Sequence, residues 1–353
     1  MAPVKNNIFG IASSTSANNG VIEKCYSFSP VVGENYVGGL VGYSRVKVIN
    51  CYASGPVFGN RWVGGLAGYV SSGPLVYCYS KGFVMGTVDG MVGLASAAVS
   101  AIDSYWNVDT GNQAISALGL GLSNMKMTAY ENYITWECDG AWTIDVGNDA
   151  PRLAIENAPG IPIARSHYYG GGARTAEDPY LIFTPEQMYE IGLYLCDWDK
   201  HFLLMADQDM SGFDGRQGRP NYDVIGNWVF PFSGVFDGGG YSISNLHVND
   251  DSDQFVGMFG VVDGWFALVT DLTLIDPNIS VEASSREGSI AGHFEDGSIT
   301  HCIVERGSVR GGSYVGGLVG YNDHGEIDNS SFEGSVTEFS RVGGIEGGFA
   351  PVI

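Results

Sequence analysis

The chain is poor in positive charge. Its 353 residues include 17 Lys or Arg against 39 Asp or Glu, a formal net charge of −22 with a pI near 4.4. Nucleic-acid binding requires Lys and Arg to neutralise phosphates, so that class of partner is excluded. The same repulsion disfavours anionic membrane surfaces. No run of roughly 18 apolar residues occurs, so membrane insertion as a helix is not expected. The start, Met1-Ala2-Pro3-Val4-Lys5-Asn6-Asn7, lacks the apolar core of a secretory signal. We read the sequence as a mature or excised piece of an extracellular or cell-surface protein.

Motifs for chemistry are also scarce. There is no Gly-x-Ser-x-Gly, no phosphate loop, no His-Glu-x-x-His and no C-x-x-C metal spacing. The six histidines are scattered. His301 and Cys302 adjoin on a strand, so they point to opposite faces and form no direct dyad. Charged residues make up only 16% of the chain, while 44% is hydrophobic, ample for a core and contrary to disorder.

Glycine, by contrast, is abundant at 52 residues. Much of it sits in a recurring phrase: Gly39-Leu40-Val41-Gly42, Gly65-Leu66-Ala67-Gly68, Gly90-Met91-Val92-Gly93, and later Gly257-Met258-Phe259-Gly260, Ser289-Ile290-Ala291-Gly292, Gly317-Leu318-Val319-Gly320 and Gly344-Ile345-Glu346-Gly347. A period of about 25 residues marks a stacked-repeat protein. Runs such as Val48-Ile49-Asn50-Cys51-Tyr52 are short, β-branched and bounded by Gly, Ser, Asn or Pro, which are strand signals. One such unit cannot bury its apolar side, whereas stacked units can, at ~4.8 Å per coil. The expected fold is all-β: a parallel β-helix or β-solenoid, right-handed, with a short helical cap and an aperiodic cap segment. The glycines are assigned to corners and to close approach between coils.

Cys25, Cys51 and Cys78 recur at one place in the repeat, with Cys302 at that place later, so the cysteines are expected as free, buried thiols rather than disulfides. Tyr26, Tyr52 and Tyr79 follow the ladder cysteines and should face outward as a stripe able to stack sugars or meet a partner, or else to pack on itself.

The order along the chain reads as coils over 1–100, an aperiodic cap over the open apolar end at 101–157, a linker at 158–174, a helical cap with entry strands at 175–250, and coils again at 251–353. Thr184-Pro185-Glu186-Gln187 starts the cap helix with a capping box, and Met188, Ile191 and Leu195 form its apolar face.

The phrase Val-Gly-Gly-Leu-Val-Gly-Tyr at 37–43 and 315–321 resembles the GLUG motif of bacterial surface and secreted proteins, among them adhesin-like proteins and the non-catalytic region of some IgA-cleaving peptidases. Residues 177–182, 205–212 and 232–246 are similar to the entry region of such proteins, and 105–109 through 151–153 to their exit region. The resemblance implies the solenoid architecture and no common active site.

For metals, Asp207-Gln208-Asp209-Met210-Ser211-Gly212 fits the first half of a calcium loop, with Gly218 where the bidentate acid belongs and Asp214 or Asp223 as substitutes. The calcium ligands expected are Asp207, Asp209, Ser211 and Asp214, the alternative being an Asx-rich turn. Asp250-Asp251-Ser252-Asp253 is a second acidic cluster, read as a solvated loop. A β-helix enzyme would need acids in register on adjacent coils. None is evident, and Asp207 with Asp237 is the least poor pair. The expected function is therefore a non-catalytic structural or adhesive module that needs no cofactor beyond calcium at most. Its expected partners are copies of itself through open coil ends, other surface proteins, or glycans. The alternative is a polysaccharide lyase, glycoside hydrolase or glycan-binding domain.

Overall fold

The computed structural model describes residues 12–14, 20–87, 90–97, 99–111, 114–136, 140–163, 169–173, 175–249, 254–281, 286–337 and 341–349. The opening segment 1–11 and the acidic cluster at 250–253 lie outside them. The chain divides into two compact units, Met1–Ser166 and His167–Ile353.

Each unit is a parallel β-solenoid. In the first, Ala12–Ser14, Val41–Ser44, Ala67–Val70 and Val92–Ala95 pair in parallel down one face. Val21–Glu23, Lys47–Ile49, Leu75–Val76 and Ala101–Ile102 form a second face. Tyr26–Ser27, Tyr52–Ala53, Tyr79–Ser80, Tyr105–Asn107 and Leu120–Leu122 form a third. In the second unit, Tyr180–Ile182 starts a ladder that runs through His201–Leu204, Val235–Asp237, Leu268–Thr270 and Ser298–Thr300 to Glu326–Asp328. The repeat phrase lies on another face, where Phe259–Val262, Ala291–Phe294, Val319–Asn322 and Glu346–Phe349 pair in turn. The helix Pro185–Leu193 begins as its capping box requires, with Thr184 and Gln187 bonding reciprocally and Met188 and Ile191 buried.

The apolar residue inside each repeat phrase points into the stack. Leu40, Leu66 and Met91 in one unit and Met258, Ile290 and Leu318 in the other are fully buried. The flanking glycines are needed for close approach rather than for corners. A Cβ on Gly39 would meet the carbonyl oxygen of Gly65 at 2.3 Å, and one on Gly317 that of Gly344 at 2.1 Å. Left-handed corners fall elsewhere, among them Lys24, Asn50, Tyr77 and Asp103 in the first unit and His301 and Asn329 in the second.

The residue after each of these corners explains the cysteine ladder. Cys51 Sγ lies 3.1 Å from the Ile49 carbonyl and Cys78 Sγ 3.2 Å from that of Val76. Ser104 Oγ makes the same bond to Ile102, and also accepts from the Cys78 backbone N–H at 3.1 Å. Ser330 does so for Cys302 at 3.0 Å. A thiol or hydroxyl therefore satisfies a corner whose backbone has left the ladder. Cys25, Cys51, Cys78 and Cys302 are free as expected. Burial pushes the Cys302 thiol up to about 12. Cys196 departs from the expectation and is disulfide-bonded; Cys138 lies outside the described residues.

The segment read as an aperiodic cap begins as part of the stack. Its strands Ala101–Ile102 and Tyr105–Asn107 continue the coils. From about residue 129 it turns back along the flank, where Trp136 Nε1 donates to the Asp103 carbonyl and Trp142 Nε1 to Asn50 Oδ1, each at 2.8 Å.

Gly317→Ala should destabilise the second unit by about 1–3 kcal/mol through overpacking. The corresponding Gly344→Ala, where a Cβ meets nothing within 4 Å, should be tolerated. Paired denaturation curves check this, and equal losses would refute close approach as the glycine's role.

Candidate functional site

Three repeat phrases of the second unit, those beginning at 257, 289 and 317, share a feature six residues after their start. Val262 pairs with Phe294 and Phe294 with Asn322, so Asp263, Glu295 and Asp323 occupy one place on successive coils. Their backbone bonds agree: Asp263 N–H donates to Phe232 O at 3.0 Å, Glu295 N–H to Val262 O and Asp323 N–H to Phe294 O, both at 2.8 Å. This in-register acidic ladder corrects the expectation that none exists.

His293 stands beside it, two residues before Glu295 on the strand Ala291–Phe294 and 1% exposed. Aromatic rings wall the imidazole. Tyr321 stacks on it at 5.6 Å, with Trp228 at 5.3 Å and Phe255 at 5.4 Å. Its Nδ1 contacts the Arg286 guanidinium and its Nε2 lies 2.6 Å from Glu295 Oε2. Arginine only donates, so Nδ1 accepts and Nε2–H donates to the carboxylate. Burial holds this histidine below its ordinary pKa, opposed by the bond to Glu295 and reinforced by Arg286. Burial raises the Asp263 carboxyl, and the charges of Glu295 and Asp296 add to that rise. His293, Glu295 and Asp323 bring their ligand atoms within 4.8 Å of one another.

Arg286 belongs to a second ladder, in which Phe255, Arg286, Tyr314 and Arg341 hold equivalent positions. Aromatic and cation alternate: Arg286 lies 5.1 Å from the Phe255 ring and 4.4 Å from Tyr321, and Arg341 lies 4.5 Å from Tyr314. Each contact contributes about 0.5–1 kcal/mol. In the first unit Tyr36 and Trp62 stack at 4.5 Å at the same point of the repeat, with Arg61 4.6 Å from the Trp62 ring.

The calcium residues expected from sequence are near one another in the chain, but their carboxylates serve other partners. Asp207 Oδ1 accepts from the Ser242 N–H and hydroxyl at 2.8 and 2.9 Å. Asp209 accepts from the Ser211 N–H at 3.0 Å and from Asn245 at 2.9 Å, capping the turn Met210–Gly212. Asp214 forms a two-pronged ion pair with Arg219 at 2.6 and 2.8 Å. These bonds tie the loop to the next coil in the manner of an Asx-rich turn.

The tyrosine stripe forms as expected, with Tyr26 and Tyr52 stacked at 5.5 Å and Tyr52 and Tyr79 at 4.8 Å. It is not an open platform, because the returning segment covers it: Tyr52 and Tyr79 are fully buried. Tyr79 donates to the Pro151 carbonyl at 2.6 Å and Tyr52 to Glu156 at 2.8 Å. Trp142 packs 6.0 Å from both rings. Arg152 bonds Asp149, Glu156 and the Tyr52 hydroxyl, and Lys81 pairs with Asp149. The stripe's occupant is thus the chain itself. An open cleft of about 650 Å³ beside it is lined by Lys81, Asn107, Asn124, Met127 and Asp149, two of which already pair with each other.

A family model described as the GLUG motif matches residues 311–337, the coil that carries Tyr314, Tyr321 and Asp323. This chain carries the GLUG motif. A protein named as a Gly-rich membrane protein, from Evansella cellulosilytica, is 36% identical over 190 residues, covering 45% of this chain and 22% of that protein. Halomucin from Haloquadratum walsbyi is 31% identical over 162 residues, covering 45% of this chain and 2% of halomucin. The chain thus spans less than a quarter of these relatives. No solved structure matches it. No described helix is long and apolar enough to cross a membrane.

Two outcomes follow for the returning segment of the first unit. Arg152→Ala should cost about 1–3 kcal/mol, since it strips partners from Asp149 and Glu156. Burial tends to raise the Asp149 carboxyl, but Lys81 and Arg152 outweigh it and hold the group below its ordinary range. A depressed folded-state pKa stabilises above the unfolded value of about 3.9 and is lost as pH falls through the folded one. The stability gap between wild type and Asp149→Asn should therefore be full at neutral pH and close in acid below about pH 4. A gap that stays constant into acid would contradict the pairing.

Proposed function

We propose that this chain is a structural and adhesive module of an extracellular surface protein, built to present stacked GLUG coils and to associate through an open coil edge. The parallel stacking of coils, each one templating the next, carries this reading. Ile299, Val304, Val309 and Leu318 are fully buried, whereas their counterparts Ile327, Phe332 and Val336 are half-buried and Ile345 is 37% exposed. An unpaired strand edge with apolar residues behind it is a template for another coil, whether from the same protein, a second copy or another surface protein. The acidic surface, the bonded Cys196 and the names of the relatives fit an extracellular setting.

A second reading rests on the acidic ladder. Two carboxyls within one coil step approach the separation used by retaining glycosidases, roughly 5–5.5 Å, which supports a glycan-cleaving alternative. In this structure Glu295 is engaged with buried His293 rather than free to act as a nucleophile.

Light scattering across concentration should show mass growing with protein, and Val336→Lys with Ile345→Glu should hold the chain monomeric. A wild-type monomer at every concentration would remove the self-assembly component. Release of reducing ends from a polysaccharide panel, abolished by Glu295→Gln, would replace the structural reading with the enzymatic one.

A further inference from the structure

Like charges in register on neighbouring strands destabilise one another, and elsewhere in the second unit opposite charges answer them. Arg306 pairs with Asp276 at 2.7 Å and Arg219 with Asp214 at 2.6 Å. At Asp263, Glu295 and Asp323, no Lys or Arg side chain pairs with any of the three among the described residues; Glu295 has only the neutral imidazole of His293. Carboxylates stacked without a counter-cation, beside a buried imidazole kept neutral, form a donor set for a metal ion.

We propose that His293, Glu295 and Asp323 bind a divalent transition-metal ion of the class that accepts mixed nitrogen and oxygen ligands, with Zn²⁺ as its representative. Calcium takes all-oxygen ligand sets, so the imidazole sets this site apart from the calcium loop expected from sequence. The ligand atoms lie within 4.8 Å of one another. Ligands at about 2.0–2.2 Å from a tetrahedral ion stand ~3.5 Å apart, so loading draws them inward. Glu295 and Asp323 are only partly buried and can rotate to do so. Water on the open side completes the coordination.

Loading changes the tautomer of His293. Nε2 gives up the proton it now donates to Glu295 and offers its lone pair to the metal, and the neutral ring carries its proton on Nδ1. Arg286 has no acceptor and must then leave Nδ1. It has a place to go, because its guanidinium already lies 4.4 Å from the Tyr321 ring. His293 and Glu295 come from one coil and Asp323 from the next. The bound ion thus staples coil to coil across the rung where the acids otherwise repel.

The test is calorimetric titration of the full chain, stripped with chelator, using ZnCl₂ with CaCl₂ and MgCl₂ as parallel arms, together with thermal unfolding in each. One equivalent of zinc per chain and a raised unfolding temperature are expected. Asp323→Asn and Glu295→Gln should each weaken zinc binding at least about tenfold. Arg286→Gln, which removes the competing charge, should tighten it. His293→Ala should abolish it, and where that variant fails to fold, the two carboxylate variants carry the test. Absence of stoichiometric zinc binding, zinc binding that both carboxylate variants leave unchanged, or preference for calcium over zinc overturns the proposal.

Discussion

Adjacent coils meet so closely at the repeat phrase that a single added carbon has nowhere to go. The Gly65 N–H donates to Gly90 O at 2.8 Å, and Leu40 and Leu66 N–H each donate to the carbonyl one coil on at 2.9 Å. A Cβ on Gly65 would lie 2.7 Å from Ser80 Oγ. This contact locks register. Once it is set, every residue of one coil sits over its counterpart in the next, and the remaining structure consists of what that superposition permits.

Superposition rewards some residues and penalises others. Flat rings stack on rings, as Tyr26, Tyr52 and Tyr79 do. Thiols and hydroxyls line a corner, where Cys51 Sγ accepts the Cys25 N–H and Ser104 Oγ the Cys78 N–H. Charges do not tolerate being repeated, and the chain handles them in two ways. Along one line it interleaves arginine with aromatics, so that Arg286 and Arg341 never face each other directly. Along the other it leaves Asp263, Glu295 and Asp323 in register. The second arrangement needs a positive partner to be favourable.

Much of this is legible in the linear chain. The recurring glycines predict a stack, the cysteine spacing predicts an inward ladder, and Thr184 through Gln187 predict a capped helix; all are local or strictly periodic signals. The acidic ladder was also written there, six residues past the phrases that begin at 257, 289 and 317. Loops of unequal length between those coils space the acids unevenly, so they align only when counted from the phrase itself. The burial of the tyrosine stripe had no such signal. It depends on Trp136, Trp142 and Arg152 returning to rest on residues as distant as Asn50 and Tyr52, and that path has no periodicity.

The sequence alone thus determined the solenoid, because repetition with a local strand pattern has few ways to bury its apolar side. It also determined the inward ladder and the acidic character. Tertiary structure decided which surfaces stay open and which carboxylates meet. Asp207 and Asp209, two residues apart, turn to separate partners on the next coil, while Glu295 and Asp323, a full coil apart, come within a ligand's reach of one another. The reason is physical: chain proximity constrains the backbone, but side-chain direction and cover are set by the neighbouring coils.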